Sequence, residues 1–453
     1  MRTNHLPGAE PAPRFTALLG SSRFHAYEER VVLRPDTDPQ LAWQPPERPE
    51  WVRRVNAEAA CMDLSAVVPL DEKSLKSAAR RSAGLADFGD PEWEGPFRAY
   101  LQSVEEEAQL NLIGRLRIRQ EILIYLEARL RVEETYKRHP EIGSEEIRKP
   151  IIVTGQGRCG TSLLQNVLAA HPDYGPLRHW EMLFPCPPPE KVTYATDPRI
   201  GRADAWIAQW NRVVPSLRSM RELSGEMPFD CTVLMSMAFS SDGWLSAFAH
   251  VPSFHAFLAR LDPLVPLRFH RRMLKLLQWR NPRAHWVLKD VLHLTKLDAL
   301  LAIYPDACIV WAHRDPVRAT ASFNHMLGAM QWAGSDMPLR RGSLDILRDP
   351  ARNAGMLERA MELLDRGAIP EARVFHVHYR DLVRDTMGTV EALHRHFGIP
   401  LSDAGRQDMR RYLEEHPRDA RPPHRYPAAQ GEALTRARAA YGRYQARFDV
   451  PTE

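Results

Sequence analysis

The chain has 453 residues, 61 Lys and Arg against 57 Asp and Glu, a formal net charge of +4, and 44% hydrophobic and 26% charged residues. These values are ordinary for globular chains of one large domain or two to three small ones, and they exclude disorder, collagen and coiled coil for the whole. The near-neutral balance argues against nucleic acid as a partner, but its basic half is lopsided, 8 Lys to 53 Arg, so each lysine position carries information.

No run reaches the roughly 18–20 apolar residues of a membrane span. Met1-Arg2-Thr3-Asn4-His5-Leu6-Pro7 starts no apolar h-region, so neither a transmembrane helix nor a signal peptide is expected. Cys61, Cys159, Cys186, Cys231 and Cys308 form no CxxC pair, which supports neither a disulfide framework nor a zinc site and makes a reducing cytoplasm the simplest compartment.

Residues 1–60 are rich in proline and predict an extended arm over a folded body, because X-Pro disfavours helix. From 97 to 139 the apolar positions Val104, Ala108, Leu112 and Leu116, then Ile118, Ile122, Leu126 and Leu130, recur at three to four residues and predict a long amphipathic helix or a helical pair. At Pro150-Ile151-Ile152-Val153-Thr154 the pattern becomes a short, β-branched run suited to a buried parallel strand. A glycine loop and a helix from Thr161 follow, closed by His171-Pro172, which makes the first half of a βαβ unit. Strand-like runs at 286–288, 307–312 and 374–378 lead into helices over 293–303, 317–327 and 386–397. The alternation predicts an α/β fold: a parallel central sheet with helices on both faces. The expected organisation is a helical N-terminal extension over 1–148, the α/β domain over 149–425 with a helical cap inserted at 172–285, and a helical tail over 426–453. Five of the eleven tryptophans, Trp180, Trp206, Trp210, Trp244 and Trp279, fall in the cap. They read either as the lining of a site for an apolar or aromatic alcohol or as the cap's own core.

The loop Gly155-Gln156-Gly157-Arg158-Cys159-Gly160-Thr161-Ser162 has the spacing of a phosphate-binding P-loop, with Thr161 where that motif has lysine. Its glycines let the backbone wrap an anion, and its N–H groups at a helix start point at that anion. The lysine that would reach the β/γ-phosphates of a triphosphate is missing, and Arg158 offers a positive fork instead.

These residues bring a family into view. The run from Ile152 through Gly160-Thr161-Ser162-Leu163-Leu164 resembles the 5′-phosphosulfate loop of P-loop sulfotransferases, and Arg314-Asp315-Pro316-Val317-Arg318-Ala319-Thr320-Ala321-Ser322 resembles their 3′-phosphate motif. Lys289, at the end of the strand before the helix at 293–303, resembles the catalytic lysine of the tyrosylprotein-sulfotransferase-like branch. The resemblance covers about 149–400 and implies an α/β sheet that binds 3′-phosphoadenosine 5′-phosphosulfate (PAPS) without a metal and transfers its sulfuryl group to a hydroxyl or amine. It assigns the donor to Gly157, Arg158, Cys159, Gly160, Thr161, Ser162, Leu163, Arg314 and Ser322. Two positions depart from the family pattern: Cys159 replaces a Ser or Thr, and Asp290-Val291 replaces the usual turn after the lysine.

Sulfuryl transfer needs in-line geometry and positive charge at the leaving oxygen, which Arg158 and Lys289 supply. The acceptor needs a general base. Glu181, by its position after the P-loop helix, is the first candidate, His179 the second and Glu226 the third. Tyr379 reads either as an adenine platform or as a core aromatic, and the stretch with Arg418, Arg421, His424 and Arg425 either as a solvated tail or as a closure over the nucleotide. A small molecule, a glycolipid or a peptide is the expected acceptor, and a homodimer is left open. Two other readings stand beside this one: a P-loop kinase or NTPase, for which Asp315 would be the magnesium-binding acid, and a nucleotide-binding protein without catalysis.

Overall fold

The computed structural model describes residues 43–453 except 242, 418–423 and 428. Five strands, β1 (Ile151–Gly155), β2 (Tyr174–Pro176), β3 (His285–Lys289), β4 (Cys308–His313) and β5 (Val374–His378), form one sheet in the order β2-β3-β1-β4-β5, with every pairing parallel. β1 is buried along its whole length, as expected of a central strand covered on both faces. The chain leaves β1 for one side of the sheet and later crosses to the other, so the carboxyl end of β1 is the topological switch point where open α/β sheets bind ligands.

Four strands stand where the sequence predicts them. β2 does not: Tyr174-Gly175-Pro176 has no β-branched residue, and it is a strand only because its backbone pairs with 285–287 of β3 at the sheet edge, where a proline is tolerated. The helix expected over 293–303 is divided into a 3₁₀ segment, Val291–Lys296, and an α-helix, Leu297–Ile303. The split begins at Asp290, whose carboxylate accepts from the Leu292 N–H at 2.9 Å.

Ahead of the sheet, the 97–139 pattern is a helical pair, Glu94–Glu107 and Leu112–Arg138. Asn111 separates them by capping the second helix through the Gly114 N–H. The extended arm expected over 1–60 holds for 43–49 alone among the described residues. Trp43 meets Trp332 edge-on, and Arg48 donates to the carbonyls of Trp332 and Ser335. From Glu50 to Glu58 the chain is helical, because the prolines stop at Pro49 and Val52 finds a buried face. Residues 1–42 lie outside the described residues.

The cap contains the helices His179–Leu183, Arg199–Val213 and Leu264–Gln278. Trp180, Trp206, Trp210 and Trp244 are each at most 3% exposed, so they build the cap's interior. Burying such rings contributes on the order of 4–6 kcal/mol each before conformational entropy is subtracted. The tail forms one helix, Gly431–Phe448, which buries Tyr441 and Tyr444 in the main core. The Tyr444 hydroxyl meets His313 Nδ1 at the end of β4 at 2.8 Å. No described helix is long and apolar enough to cross a membrane, and the five cysteines are unpaired.

Candidate active site

The glycine loop closes β1 and opens the helix Thr161–Ala169. Gly160 caps that helix at φ +88°, and a Cβ there would press on the Tyr379 ring at 2.9 Å and on Leu382 at 3.0 Å, so glycine is required by conformation and by space. Arg158 also stands in the left-handed region, at φ +71°, a strained position for a side-chain residue. Its guanidinium holds it there: Nε donates to Ser322 Oγ at 3.1 Å and Nη1 to the Met220 carbonyl at 3.0 Å, and Nη2 lies 3.4 Å from His424 Nδ1. Burial, with Arg221 and Arg314 nearby, lowers the Arg158 guanidinium to about 10. Gln156 is buried, and its amide nitrogen lies within hydrogen-bond distance of Asn353 Oδ1, Thr320 Oγ1 and the Pro316 carbonyl, so it braces the loop. Burial pushes the Cys159 thiol up to about 12, which leaves it an inert core group beside Ala312 and Ala319. Thr161 is buried in the first helical turn, whereas Ser162 is exposed.

Lys289 ends β3, paired in register with Val153 of β1, and is 3% exposed. Its Nζ donates to Ser162 Oγ at 3.1 Å and forms an ion pair with Asp230. The second oxygen of Asp230 accepts from Arg221 Nη2 at 2.6 Å. Burial would raise the Asp230 carboxyl, but Arg221 and Lys289 overrule it and hold it at about 2. Burial pushes Lys289 below its ordinary value, with Asp230 opposing. Neither Asp230 nor Arg221 carries a sequence signal; both lie in cap loops that only the fold brings to the end of β3.

Arg314 follows β4. Its Nε and Nη2 fork onto the Glu453 carboxylate, Nη2 at 2.7 Å, and Nη1 donates to the Arg158 carbonyl at 3.1 Å. Its guanidinium lies 4.2 Å above the Tyr379 ring. Ser322, on the helix Pro316–Trp332, joins Arg158 and His424. A cleft of about 250 Å³ opens here, lined by His313, Arg314, Asp315, His378, Tyr379 and Glu453 among others. Of the closing stretch, His424 touches Arg158 and Ser322 and is itself met by His325 at 2.9 Å, while Arg418 and Arg421 lie outside the described residues. Asp315 is fully buried. One oxygen accepts from Val317 N and Arg438, the other from Glu453 N, so it has none left for magnesium.

The three candidate bases differ in their surroundings. Glu181 is fully buried, with one oxygen paired to Arg283 and the other accepting from the Arg178 N–H at 2.9 Å. This carboxylate ties the cap to the loop before β3, so both of its oxygens are already committed. Glu226 is exposed at the surface of its turn. His179 is 1% exposed, stacks on Phe229 at 4.7 Å, and has no hydrogen-bond partner at either ring nitrogen among the described residues. Burial, with Arg221 adding and Asp230 opposing, lowers its pKa to about 3, so the imidazole is neutral.

The fold thus gathers Arg158, Ser162, Lys289, Arg314 and Ser322 at the carboxyl ends of β1, β3 and β4, with Asp230, Arg221 and His179 on the cap side. Three cations at the ends of neighbouring strands, Arg158, Lys289 and Arg314, suit a compact polyanion. Among the described residues no group of three His, Cys, Asp or Glu is placed to hold a metal. Residues 150–403 match the model of the sulfotransferase family. The chain is 23% identical over 281 residues, 59% of its own length and 67% of the relative's, to the omega-hydroxy-beta-dihydromenaquinone-9 sulfotransferase Stf3 of Mycobacterium bovis, and equally so to that of Mycobacterium tuberculosis. Among solved structures it is similar to sulfotransferase STF1 of Mycobacterium tuberculosis (28% identity, TM-score 0.66, 83% of this chain and 98% of that one). It shares its fold with STF9 of Mycobacterium avium (22% identity, TM-score 0.69, 84% and 97%).

Proposed function

Because this chain belongs to the sulfotransferase family and is a sulfotransferase, we propose that its donor is PAPS, the donor general to that family, and that its acceptor is an apolar alcohol received beneath the cap. One observation carries the donor assignment: a glycine loop without the P-loop lysine is met instead by Lys289 from the neighbouring strand, through Ser162. A donor with no β/γ-phosphates needs no such lysine in the loop. Gly157, Arg158, Cys159, Gly160, Thr161, Ser162 and Leu163 bind the 5′-phosphosulfate through loop N–H groups and side chains. Arg314 and Ser322 take the 3′-phosphate, Arg314 giving up Glu453 for it, and Tyr379 borders the adenine. The acceptor oxygen forms its bond to sulfur as the bond from sulfur to the bridging oxygen breaks, and the electron pair stays on that oxygen. Lys289 and Arg158 stabilise the charge developing there. His179 takes the place of Glu181 as the proposed base: neither of its ring nitrogens has a hydrogen-bond partner among the described residues, and burial with Arg221 keeps the imidazole neutral, with Asp230 opposing them. Asp230 also positions Lys289. The five unpaired cysteines suit the cytoplasm.

The omega-hydroxy lipid named for Stf3 supports an apolar alcohol as the acceptor here. Calorimetric titration tests the donor: adenosine 3′,5′-bisphosphate binds tightly without metal, and preference for Mg-ATP would overturn the assignment in favour of a kinase or NTPase. Donor binding without turnover on any acceptor would favour a non-catalytic protein.

A further inference from the structure

Arg221 follows the short cap helix Leu217–Met220 and is tied to the transfer site from two directions. On one side, the carbonyl of its neighbour Met220 accepts from Arg158 Nη1 of the glycine loop at 3.0 Å. On the other, Arg221 Nη2 donates to one oxygen of Asp230, whose second oxygen holds Lys289. The Arg221 guanidinium also lies 3.9 Å over the Phe229 ring, the ring on which His179 stacks. Arg221 therefore stands among the two cations proposed for the leaving oxygen and the proposed base. Its own pairing is incomplete. Nε and Nη1 have no hydrogen-bond partner among the described residues, neither atom is sealed from solvent, and the side chain is 22% exposed. Asp230 is shared between Arg221 and Lys289, and no carboxylate pairs with Arg158 among the described residues. After burial, Arg221 is the strongest influence lowering the Arg158 guanidinium, so the two cations repel each other. Cations held together with open donors form a seat for an anion.

We propose that Arg221 is a catalytic residue carried by the cap: the N–H groups that Asp230 leaves open donate to the oxygens of the sulfuryl group while it is transferred. That group must lie between the leaving oxygen and the acceptor, hence between Lys289 and His179, and Arg221 stands beside both through Asp230 and Phe229. As the bond from sulfur to the bridging oxygen breaks and the bond to the acceptor oxygen forms, the sulfuryl oxygens keep their negative charge. Arg221 stays charged throughout and moves no proton. This assignment deepens the sulfotransferase reading with PAPS as donor and rests on it.

The test compares PAPS with adenosine 3′,5′-bisphosphate, which lacks the sulfuryl group, by calorimetry without acceptor. Arg221→Met, similar in length and uncharged, weakens PAPS about ten-fold or more and the bisphosphate less than about three-fold, and it lowers kcat at least about 10²-fold. A role confined to positioning Lys289 through Asp230 is separated by the Asp230→Asn protein, in which that ion-pair link is already gone. Adding Arg221→Met to it still weakens PAPS about ten-fold relative to Asp230→Asn alone. Equal effects on the two nucleotides, an undiminished kcat, or no further loss on top of Asp230→Asn would each overturn the assignment. Should Arg221→Met fail to fold alone, the comparison on top of Asp230→Asn, which removes cation and carboxylate together, decides. If the wild type binds neither nucleotide, the PAPS reading falls as well. If it binds both and Arg221→Met does not separate them, only the role of Arg221 falls.

Discussion

Replacing Arg314 by alanine removes two different interactions, and their sizes separate two roles. In the structure Arg314 forks onto Glu453 and steadies the Arg158 carbonyl. If the same fork receives the 3′-phosphate, Arg314→Ala loses two charge-assisted hydrogen bonds of about 1.5–3 kcal/mol each. Against that stands the ion pair with Glu453, which the bound ligand already breaks. Those side chains are 16% and 31% exposed, so the pair contributes about 0–1 kcal/mol. The net loss is about 2–6 kcal/mol, or at least about 30-fold in Kd at ~1.4 kcal/mol per decade. Calorimetry with adenosine 3′,5′-bisphosphate and with adenosine 5′-phosphate checks it: the first weakens by that factor, and the second changes little. Equal losses would refute the 3′-phosphate role, because they would trace the effect to the Arg158 carbonyl and a slackened loop.

Glu453→Gln removes the carboxylate that competes for Arg314, so bisphosphate affinity rises by up to about five-fold, more at low salt, in the same titration. Lys289→Ala reduces sulfate transfer by at least 10²-fold yet leaves bisphosphate binding within a few-fold, and Asp230→Asn lowers kcat more than it raises KM, because it frees Lys289 from its anchor. His179→Gln abolishes turnover with a near-normal melting temperature. Glu181→Gln, which leaves Arg283 unpaired in the core, lowers the melting temperature sharply; full activity in a folded His179→Gln protein would return the base role to another group. His179 and His270 are lowered by burial to about 3, so below about pH 6.5 the unfolded chain binds protons that the folded chain refuses. Their share of stability is intact above about pH 6.5 and falls as pH drops toward 3. Unfolding free energies from urea titrations at pH 7 and 5 should differ by on the order of 1–2 kcal/mol per histidine, and His179→Phe should shrink the difference.

The sequence by itself determined the sheet's central strands and the position of the glycine loop at the end of one of them. Both depend on local signals: β-branched runs buried on two faces, and a glycine loop whose backbone conformation needs Gly160 at that place. Motifs placed directly after strands are carried to one end of a parallel sheet by its topology, so Arg158, Lys289 and Arg314 could be grouped before any coordinate was known. β2 escaped because its strand character comes from pairing at an edge and not from its residues. The partners of Glu181, Asp230 and Arg117 were decided by tertiary structure alone. Whether a carboxylate is a base, a strut or an anchor depends on which cation packs against it. Glu181 meets Arg283 from 102 positions away and Asp230 meets Lys289 across the cap boundary, while Arg117 meets two indoles and no acceptor. The near-neutral total charge says nothing of such pairings, because Coulombic partners are chosen by distance in the folded chain and not by order along it.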